Sequence, residues 1–387
     1  MPLGCACINL GYKNLKGANV RNLIIGAGLS GLVLAERLAN DRGEEVLLID
    51  RRDHIGGNCA DKDWGGILVH SYGAHIFHTK SPEVWEYITR FALFYPYMHK
   101  VFGLVQGQLI PIPFNLNALN TIFPHSQAQE LESTLLRTFG FGSRVSILEL
   151  RKHKELETIA EFIYENIFYH YTLKQWQCSP EELDPSVFER VPIIIAKDDR
   201  YFPADPYQGI PLEGYSAAFA KMITSKRIEV RLGIEFAELE SSGVDIDSFD
   251  RVFYSGAIDE YFGYKFGELP YRSLELKTLR LEREYFGSSS VINYPKNYDF
   301  TRIIEHKYFL DTKAPHTIIT YEYPKKWRLG DERYYPLPTQ AAKAAYEAYA
   351  KEAKKLKNVF FIGRLGAYQY YDMDKAIEEA LNLYASL

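Results

Sequence analysis

A strand, a glycine-rich turn and a helix follow one another between residues 22 and 58, and this segment restricts the possible folds more than any other. The apolar run 23–25 leads into three glycines at G-x-G-x-x-G spacing: Gly26, Gly28 and Gly31. A helical stretch and a second apolar run, 46–49, end at Asp50, 19 residues after the third glycine. This order predicts a Rossmann-like dinucleotide-binding unit.

Each part of this unit has its own physical task. The first glycine permits the tight turn, Gly28 lets backbone N–H groups approach a pyrophosphate, and Gly31 lets the helix pack closely on the strand. The helix N-terminus favours the phosphate charge. The Asp50 carboxylate would accept hydrogen bonds from the adenosine ribose and repel a 2′-phosphate, which argues against NADP.

The residues after this acid favour one cofactor. The sequence RRDHIGGN brings basic residues and a second Gly-Gly pair directly after the acid, a pattern typical of FAD proteins and uncommon in NAD dehydrogenases. The side chain of Arg51 or Arg52 and the amides of Gly56, Gly57 and Asn58 are expected to line the phosphate groove. FAD is therefore the predicted cofactor.

Composition and charge exclude several classes of protein. A chain of 387 residues suits two or three domains of about 150 residues each. Its 47% hydrophobic and 25% charged residues are those of an ordinary globular protein. The net charge of −5 gives no overall attraction for nucleic acid, so any anion site must be local.

Cysteine usage and hydropathy exclude further classes of protein. The four cysteines contain no C-x-x-C pair, which argues against a zinc site and against a disulfide framework. No apolar run approaches the roughly 18 residues that a membrane span needs. Residues 1–19 lack the features of a signal peptide and are expected to form a loosely ordered extension. A cytoplasmic protein without a membrane span is expected.

Segments far apart in the chain are expected to build one nucleotide domain. Residues 251–258 and 359–363 each carry a short apolar strand followed by glycine, and the second leads to an amphipathic helix with Asp372 at its N-cap. Residues 115–180 have helical periodicity. Residues 271–323 alternate as in an antiparallel sheet, which would form the floor of a substrate cavity.

We therefore predict an α/β protein with a discontinuous Rossmann-like FAD-binding domain, an inserted helical bundle and an antiparallel β-sheet substrate domain. The expected segments are 1–19 for the extension; 20–95, 212–262 and 340–387 for the FAD-binding domain; 115–182 for the helical insertion; and 96–114, 183–211 and 263–339 for the substrate domain.

His75 and His78 stand three residues apart in HSYGAHIFHT, a spacing that invites a metal site. No H-E-x-x-H motif, C-x-x-C pair or clustered third histidine supplies further ligands, so no metal is expected. Two interpretations stay open: a histidine packed in the core, or a histidine against the flavin ring.

Tyrosines and arginines provide the remaining candidates. The chain has 29 tyrosines, and several stand in polar loops rich in proline and glycine, where they could stack on a base or sugar and hydrogen-bond a phosphate. Arg190, Arg302 and Arg364 stand in ERVP, TRIIEHK and IGRLGAY, and their planar guanidinium groups could hold phosphate oxygens. Core packing and surface ion pairs would explain many of these residues equally well.

In combination these motifs resemble the bacterial UDP-galactopyranose mutases, flavoenzymes that interconvert UDP-galactopyranose and UDP-galactofuranose. The resemblance runs from residue 20 to the end and is carried by GAGLSG, DHIGGN, YGAHIFHT, PIPFN, YTLKQW, ERVP, YQGIP, YRSL, TRIIEHK, GDERYYP and GRLGAYQYYDM. Two features depart from the family pattern. The loop YFPADPYQGIP is one residue longer than the commonest form, which makes Tyr207 a weaker candidate than Tyr201, and residues 1–19 have no counterpart.

The resemblance implies roles for individual residues. Trp176 would stack on uracil, and Arg190 and Arg302 would hold the pyrophosphate and form the catalytic set together with His75. Further substrate-binding residues would be Tyr171, Tyr201, Tyr335, Tyr370, Arg272 and Asn293. The cofactor would be bound by Gly26, Gly28, Gly31, Asp50, Arg51, Gly57, Asn58, His75, Arg364, Asp372 and Met373.

The resemblance also implies the chemistry. Converting a pyranose into a furanose moves no net electrons, so reduced flavin would act through N5 as a nucleophile on the anomeric carbon, and NAD(P)H or another reductant would only prime it. Arg190 and Arg302 would retain the departing UDP while the tyrosines exclude water. Residues 184–209 would close as a lid when pyrophosphate neutralises Arg190. A homodimer is expected.

Three other interpretations are weighed against this one. The same chemistry could act on UDP-N-acetylgalactosamine. A flavin amine-oxidase-like oxidoreductase would share the discontinuous FAD fold, but it would oxidise its substrate stoichiometrically. A binding module like the Rab GDP-dissociation inhibitors would share the topology and carry no flavin, which Asp50 and the HIGGN sequence argue against.

Overall fold

The structure is a computed structural model that describes residues 20–387, so the extension expected over residues 1–19 lies outside the described part. In chain order the strands are β1 (Arg21–Ile25), β2 (Glu45–Asp50), β3 (Asp61–Asp63), β4 (Leu68–His70), β5 (Phe77–Thr79), β6 (Phe94–Tyr95), β7 (Val101–Val105), β8 (Gln108–Ile112), β9 (Arg144–Val145), β10 (Ile193–Ile194), β11 (Tyr207–Pro211), β12 (Ile228–Leu232), β13 (Arg251–Tyr254), β14 (Tyr271–Leu281), β15 (Val291–Asn293), β16 (Arg302–Glu305), β17 (Thr317–Lys326), β18 (Tyr335–Pro336) and β19 (Val359–Phe361).

The helices connect these strands. The α-helices are α1 (Leu29–Asp41), α2 (Pro82–Thr89), α3 (Leu116–Ile122), α4 (His125–Phe139), α5 (Ile147–Leu150), α6 (Glu157–Ile163), α7 (His170–Trp176), α8 (Ser186–Glu189), α9 (Tyr215–Met222), α10 (Ile258–Tyr261), α11 (Gln340–Ala353), α12 (Gly363–Gly366) and α13 (Met373–Ser386). Short 3-10 helices cover Gly57–Cys59, Lys154–Leu156, Pro180–Glu182, Phe236–Glu238, Ile246–Ser248 and His306–Phe309, and a π-helical turn covers Tyr164–Tyr169.

One sheet, which we call the nucleotide sheet, is parallel throughout and has the order β12-β2-β1-β13-β19. Alternate residues of β1 enter two separate cores. Ile24 packs with residues of α1, α9 and α13, whereas Leu23 and Ile25 pack with residues of the segment 234–249. Burial on both faces explains the continuous apolar run. β13 and β19 complete the sheet from distant parts of the chain, so it is discontinuous in sequence, as predicted.

Residues 115–182 are mostly helical, as their periodicity predicts. Helices α3 to α7 pack around fully buried residues that include Leu119, Leu150 and Ile159. Asn115 begins this segment as the N-cap of α3, because its side chain accepts hydrogen bonds from two backbone N–H groups of the first turn. The π-helical turn joins α6 to α7, and turns of this kind are frequent beside functional sites.

The larger sheet, which we call the substrate sheet, has the order β18-β14-β17-β16-β15-β7-β8. Its longest pair, β14 with β17, is antiparallel from Arg272 opposite Lys326 to Leu281 opposite Thr317. The sheet differs from the expectation at one pair, because β15 runs parallel to β7. Parallel neighbours need a crossover connection, and the long segment between β7 and β15 supplies it.

The strands of residues 183–211 lie outside the substrate sheet, although the sequence interpretation grouped them with it. β10 pairs with β9 beside the helical segment, and β11 pairs with β5 and β6 in a separate three-stranded sheet. Loop composition does not reveal the partner of such short strands. The division into domains given above stays a proposal. In it, residues 183–211 connect the nucleotide sheet and the substrate sheet.

The nucleotide sheet determines where the glycine turn lies. β1, β2 and β13 run parallel, so their carboxyl ends bring Gly26, Asp50 and Ser255 to one edge of the sheet. Ligands of open parallel sheets bind at this edge. Among the helices of residues 20–387, none has the length and apolar character needed to cross a membrane.

Candidate active site

Two cavities meet above this edge of the nucleotide sheet. The first, which we call the nucleotide groove, is lined by the glycine turn, the end of β2 and the segments 56–59, 234–236 and 254–257. The second, the substrate cavity, has a volume of about 740 Å³, within the range of small-molecule sites. Four side chains line both cavities: His75, Arg364, Asp372 and Met373. A cofactor and a substrate would therefore meet at these four residues.

The residues singled out in the sequence divide between the two cavities. Besides the four shared residues, the nucleotide groove is lined by Gly26, Gly28, Asp50, Arg51, Gly57 and Asn58. The substrate cavity is lined by Tyr171, Trp176, Arg190, Tyr201, Asn293, Arg302, Tyr335 and Tyr370. Neither lining includes Gly31, which lies in α1, or Arg272, which lies in β14.

Close backbone approaches shape the nucleotide groove. A Cβ on Gly31 would lie 2.0 Å from the carbonyl oxygen of Gly26, so only glycine allows α1 to begin so close to the turn. A Cβ on Gly57 would lie 3.0 Å from the Cα of Gly28, and Gly57 has a φ of +57°. The bare backbone of Gly28 and Gly57 therefore forms a cradle that a phosphate group can approach.

The Asp50 carboxylate fixes the glycine turn to the end of β2. Its Oδ2 accepts a hydrogen bond from Ala27 N at 2.7 Å, and its Oδ1 accepts one from Arg52 N at 2.9 Å. The residue is only 8% exposed. Each carboxylate oxygen can accept a second hydrogen bond, so Asp50 keeps acceptor capacity for a ribose while it also holds the turn, a role that the sequence did not reveal.

Arg302 extends from β16 into the substrate cavity with two partners. Its Nη2 donates to the Tyr171 hydroxyl, and its Nε lies 3.4 Å from Oε1 of Glu322. Burial alone would lower the pKa of Arg302, but the Glu322 carboxylate raises it well above its ordinary value. The guanidinium therefore stays charged, and such a cation is suited to bind phosphate oxygens.

Glu322 is a cavity residue that the sequence interpretation missed. It is 3% exposed, stands opposite Arg302 in the β16–β17 register and accepts a hydrogen bond from Thr301 Oγ1 at 3.2 Å. The alternation of TIITYEY offers one signal, because it puts an acid on the same strand face as the buried Thr320. The partner of that acid becomes visible only with the register.

Arg190 follows α8 and reaches the N-terminus of α13. Its Nη2 donates to both carboxylate oxygens of Asp372, at 2.8 and 3.0 Å, and its guanidinium carbon lies 4.0 Å from the centroid of the Tyr370 ring. Asp372 is the N-cap residue of α13, as expected, but its side chain accepts no helix N–H. It binds Arg190 instead. Because this pair is partly exposed, it contributes little stability.

Aromatic residues form much of the remaining cavity wall. The ring of Trp176, at the end of α7, lies edge-on to Tyr335 and Tyr370, with centroids 6.2 and 6.3 Å apart. Burial raises the pKa of Tyr171 to about 12, and burial also raises the pKa of Tyr201 and Tyr335 above the ordinary value. These hydroxyl groups are therefore neutral at physiological pH and can donate to phosphate or sugar oxygens.

His75 is neutral at the junction of the two cavities. Burial lowers its pKa to about 3, and its Nδ1 lies 2.9 Å from the carbonyl oxygen of Gly73. A neutral imidazole beside a carbonyl carries its proton on the nearer nitrogen, so Nε2 is an acceptor. The backbone N–H of His75 donates to Nδ1 of His70 at 3.0 Å.

Buried hydrogen bonds connect this segment to the substrate sheet. The backbone N–H of His70 donates to Nδ1 of His306 at 3.3 Å, and Nε2 of His306 lies 2.8 Å from Oγ1 of Thr320. His70 and His306 are 2% and 1% exposed, and burial lowers the pKa of His70 to about 3 and that of His306 well below its ordinary value. Both rings are therefore neutral, and their contacts determine which nitrogen carries the proton.

Arg272 and Asn293 were both expected to bind substrate, and the structure separates them. Asn293, on β15, lines the substrate cavity, where its Oδ1 is buried without a hydrogen-bond partner among residues 20–387. Arg272 does not line it. Its Nε donates to the carbonyl oxygen of Gln175 and its Nη1 to Oε1 of Gln177, both at 2.9 Å. Arg272 therefore holds the end of α7, where Trp176 lies in the cavity wall.

Gln175 is a second cavity residue that the sequence interpretation missed. It precedes Trp176, is 7% exposed and has an Oε1 that is buried without a partner in the described part of the chain. A buried acceptor without a partner is costly, so a donor on a ligand is expected there. The sequence offered one indication of this role, since Gln175 is a polar residue on the buried side of the helix formed by YTLKQW.

The metal interpretation of the two histidines finds no support in the contacts of His78. Its Nδ1 lies 2.7 Å from Oδ2 of Asp205, and its ring stacks on Phe202 with centroids 3.5 Å apart. No group of three or more histidine, cysteine, aspartate or glutamate side chains within residues 20–387 is arranged to hold a metal ion. Tyr207, in the same lengthened loop, stacks on Trp85 at 5.6 Å and does not line the substrate cavity.

Comparison with known proteins agrees with this geometry. A family profile of UDP-galactopyranose mutases matches residues 166–370, and a profile of NAD(P)-binding Rossmann-like domains matches residues 24–91. The chain is 37% identical over 369 residues to the Klebsiella pneumoniae protein named "Probable UDP-galactopyranose mutase", with 94% of this chain and 93% of the relative covered. It is 34% identical over 365 residues to the dTDP-fucopyranose mutase of Escherichia coli, with 93% and 96% covered.

Solved structures share the fold. The structure of a reduced UDP-galactopyranose mutase matches with a TM-score of 0.70 at 15% identity over 95% of both chains. A CLA-producing fatty acid isomerase from P. acnes matches with a TM-score of 0.58 at 13% identity, over 95% of this chain and 98% of that chain. Together with the Rossmann-like profile, these matches confirm the predicted fold class.

The family assignment rests on sequence. The mutase profile spans more than half of the chain, and relatives above 30% identity span nearly all of it. These matches confirm both the resemblance carried by the ordered motifs and the prediction that the chain is an enzyme. The chain belongs to the UDP-galactopyranose mutase family of isomerases.

Proposed function

We propose that this enzyme interconverts UDP-galactopyranose and UDP-galactofuranose and that it uses FAD in the reduced form. The observation that carries the proposal is the junction of the two cavities, where His75, Arg364, Asp372 and Met373 line both. A dinucleotide in one cavity and a nucleotide sugar in the other would present their reactive ends to each other there.

The nucleotide groove fits a flavin dinucleotide. The cradle of Gly28 and Gly57 suits its phosphates, Asp50 can accept from its ribose, and Arg52 has a buried Nε without a partner among the described residues. Arg51 and Asn58 also line the groove. When bound and reduced, the flavin would supply N5 as a nucleophile toward the anomeric carbon, with no net redox change.

Arg190 and Arg302 would retain the nucleoside diphosphate. The sugar must separate from UDP and rejoin the same UDP, so the diphosphate has to stay bound while the ring opens and recloses. Arg302 is permanently charged in the cavity, and Arg190 can exchange the Asp372 carboxylate for a phosphate oxygen. Holding both partners in place makes the return step effectively intramolecular.

The neutral groups would position the sugar. Tyr171, Tyr201 and Tyr335 can donate hydrogen bonds without adding charge, and the Nε2 of His75 can accept one. Trp176 offers an aromatic face for the nucleobase. Together these side chains would exclude water that would otherwise compete with the sugar hydroxyls.

A second substrate has a specific observation in its favour. The dTDP-fucopyranose mutase of Escherichia coli is 34% identical to this chain, close to the 37% of the Klebsiella pneumoniae relative. A dTDP-linked 6-deoxy sugar is therefore the second candidate. UDP-N-acetylgalactosamine and an amine-oxidase-like oxidation of another substrate are weaker alternatives.

The test is an anaerobic assay with dithionite-reduced holoenzyme. UDP-galactofuranose, dTDP-fucofuranose and the furanose form of UDP-N-acetylgalactosamine are supplied separately, and the pyranose products are separated by chromatography. Conversion of the first with the highest kcat/KM is expected, together with loss of conversion in the oxidised enzyme. A flavin-loaded protein that converts none of them, or one that oxidises substrate stoichiometrically, would refute the proposal.

Further attributes belong to the proposal. NAD(P)H or another reductant would prime the flavin, the enzyme would act as a homodimer, and it would work in the cytoplasm. Light scattering of the purified holoenzyme tests the dimer, and anaerobic flavin bleaching by NADH or NADPH tests the reductant. Cell fractionation tests the location.

A further inference from the structure

Residues 327–334, which we call the strap, connect β17 to β18 in the substrate sheet, but part of the strap reaches the nucleotide groove. Glu332 and Arg333 both line the nucleotide groove. The strap therefore joins two strands of the substrate sheet, while two of its side chains line the nucleotide groove.

The two neighbouring residues pair with opposite sides of the groove. Glu332 accepts hydrogen bonds from Arg51 and, at 2.6 Å, from Nη2 of Arg52, both just after β2. Arg333 donates through Nη1 to Oε2 of Glu260 at 2.9 Å, in α10 just after β13. In the sheet, β2 and β13 flank β1, whose end carries the glycine turn. Contacts to both flanks mean that the strap spans the groove across that turn.

The strap is held in shape by its own contacts. Trp327 is buried, and its Nε1 donates to the carbonyl oxygen of Asp331 at 2.9 Å. The Asp331 carboxylate accepts from the backbone N–H of Arg328 and from Lys325. The guanidinium carbon of Arg333 lies 4.3 Å from the Trp327 ring centroid. Such a preorganised loop presents its two charged residues at little entropic cost.

Its ion pairs are better protected than surface pairs. The side chains of Arg52 and Arg333 are largely buried, and Arg333 also donates to the Tyr264 hydroxyl at 3.1 Å. Burial alone would raise the pKa of Glu332, but the hydrogen bond from Arg52 and the charge of both arginines hold it below its ordinary value. Glu332 is therefore ionised at neutral pH, and the bridge keeps both of its charges.

We propose that the strap is a bridge over the adenosine half of the bound dinucleotide and that Glu332 and Arg333 retain the cofactor. This rests on the proposed function, which identifies the occupant as FAD. The opposite end of the groove opens into the substrate cavity at His75 and Arg364, so the end near Asp50 and Glu260 receives the adenosine. A dinucleotide beneath two ion pairs leaves only when they open.

Flavin release from the holoenzyme tests the bridge. The rise of flavin fluorescence after dilution gives the release rate, which we compare for the wild type, Glu332→Gln and Glu352→Gln. Glu352 is the matched control, since it also contacts two cations, Lys265 and Lys355, but lies on α11 outside the groove. We expect Glu332→Gln to release flavin about five times faster and Glu352→Gln to release it at the wild-type rate.

Ionic strength provides a second readout. Raising salt from about 0.05 to 1 M should accelerate release from the wild type by screening the bridge, and should do so less in Glu332→Gln. Arg333→Met tests the other half, with its unfolding curve checked because Arg333 is largely buried. An unchanged release rate in flavin-loaded Glu332→Gln, or equal acceleration in Glu352→Gln, overturns the bridge and leaves the proposed function intact. A wild type that binds no flavin overturns both.

Discussion

Arg302 and Arg190 hold equal charges in the substrate cavity but have different partners. Arg302 faces the buried carboxylate of Glu322, whereas Arg190 faces the partly exposed carboxylate of Asp372. A buried carboxylate that loses its cation is strongly destabilised, while an exposed one is solvated by water. The same substitution should therefore have different consequences at the two positions.

For this reason we expect Arg302→Ala to lower the free energy of unfolding by about 2 to 3 kcal/mol and Arg190→Ala to lower it by less than about 1 kcal/mol. Both should reduce kcat/KM about 100-fold or more, because each removes a cation that we propose holds the diphosphate. Urea denaturation and steady-state assays measure the two effects, and the bound flavin spectrum should not change. Equal stability losses at the two positions would contradict the distinction. Arg137→Ala is the control, because Arg137, on α4, forms an exposed ion pair with Glu155.

A second prediction for single residues concerns His70, whose Nδ1 accepts a hydrogen bond. It receives the backbone N–H of His75, and an asparagine could offer its side-chain oxygen in a similar position. His70→Asn should keep most of the stability, and His70→Phe should lose about 1 to 3 kcal/mol because a buried N–H is left without a partner. Chemical denaturation and the visible spectrum of the bound flavin measure the difference. A His70→Phe enzyme identical to wild type in both would show that the hydrogen bond from His75 to His70 does not stabilise the protein.

Among the elements, α8 packs Phe188 into the core of the helical segment, whereas the side chain of Arg190, which follows it, is partly exposed. α8 spans only Ser186–Glu189, and Arg190, directly after it, is connected to α13 through Asp372. The preceding Asp184 donates its backbone N–H to the carbonyl oxygen of Pro338. An element held by a partly exposed ion pair can move when that pair is exchanged for a ligand.

UDP binding should therefore move this element. We expect UDP to slow tryptic cleavage after Arg190 and Arg200 and to change the fluorescence of Trp176, because a diphosphate would replace Asp372 as the partner of Arg190. Asp372→Asn should speed cleavage in the absence of UDP, since the ion pair is lost. Cleavage after the exposed Arg137 serves as the internal control. If neither cleavage nor fluorescence responds to UDP, residues 184–209 do not form a lid.

Elements also show which features the sequence could predict. The glycine turn, α1 and the acid at the end of β2 were predictable, because their parts are close in the chain and their periodicity is local. The pairs Arg190–Asp372 and Arg52–Glu332 join residues 182 and 280 positions apart, and loop paths determine them. Arg272 was assigned to substrate because its motif matched, although its guanidinium points to the end of α7.

At the scale of the whole molecule, buried neutral histidines connect stability to pH. Burial lowers the pKa of His70, His75 and His99 to about 3, and that of His306 well below its ordinary value. An unfolded histidine has a pKa near 6.5, so between pH 6.5 and 3 the unfolded chain binds more protons than the folded one. Stability should therefore fall as pH falls below about 6.5.

Each such histidine contributes up to about 1.4 kcal/mol per pH unit in that window. We expect the slope of unfolding free energy against pH, between pH 6.5 and 4.5, to decrease by about this amount in His99→Gln. His125→Gln, at an exposed position, serves as the control substitution. Denaturation at a series of pH values measures it, and identical slopes for wild type and His99→Gln would contradict the burial argument.

The last strand of the chain lies at the edge of the sheet whose first strand begins the fold. β19 joins β13, and the residues just after it include Arg364, Asp372 and Met373, which line both cavities. During synthesis on the ribosome, the nascent protein therefore cannot complete either cavity until residues 364–373 have emerged. A stop codon between residues 358 and 364 would spare most of the hydrophobic core, yet it would yield a polypeptide that lacks three of the four residues at the junction of the cavities.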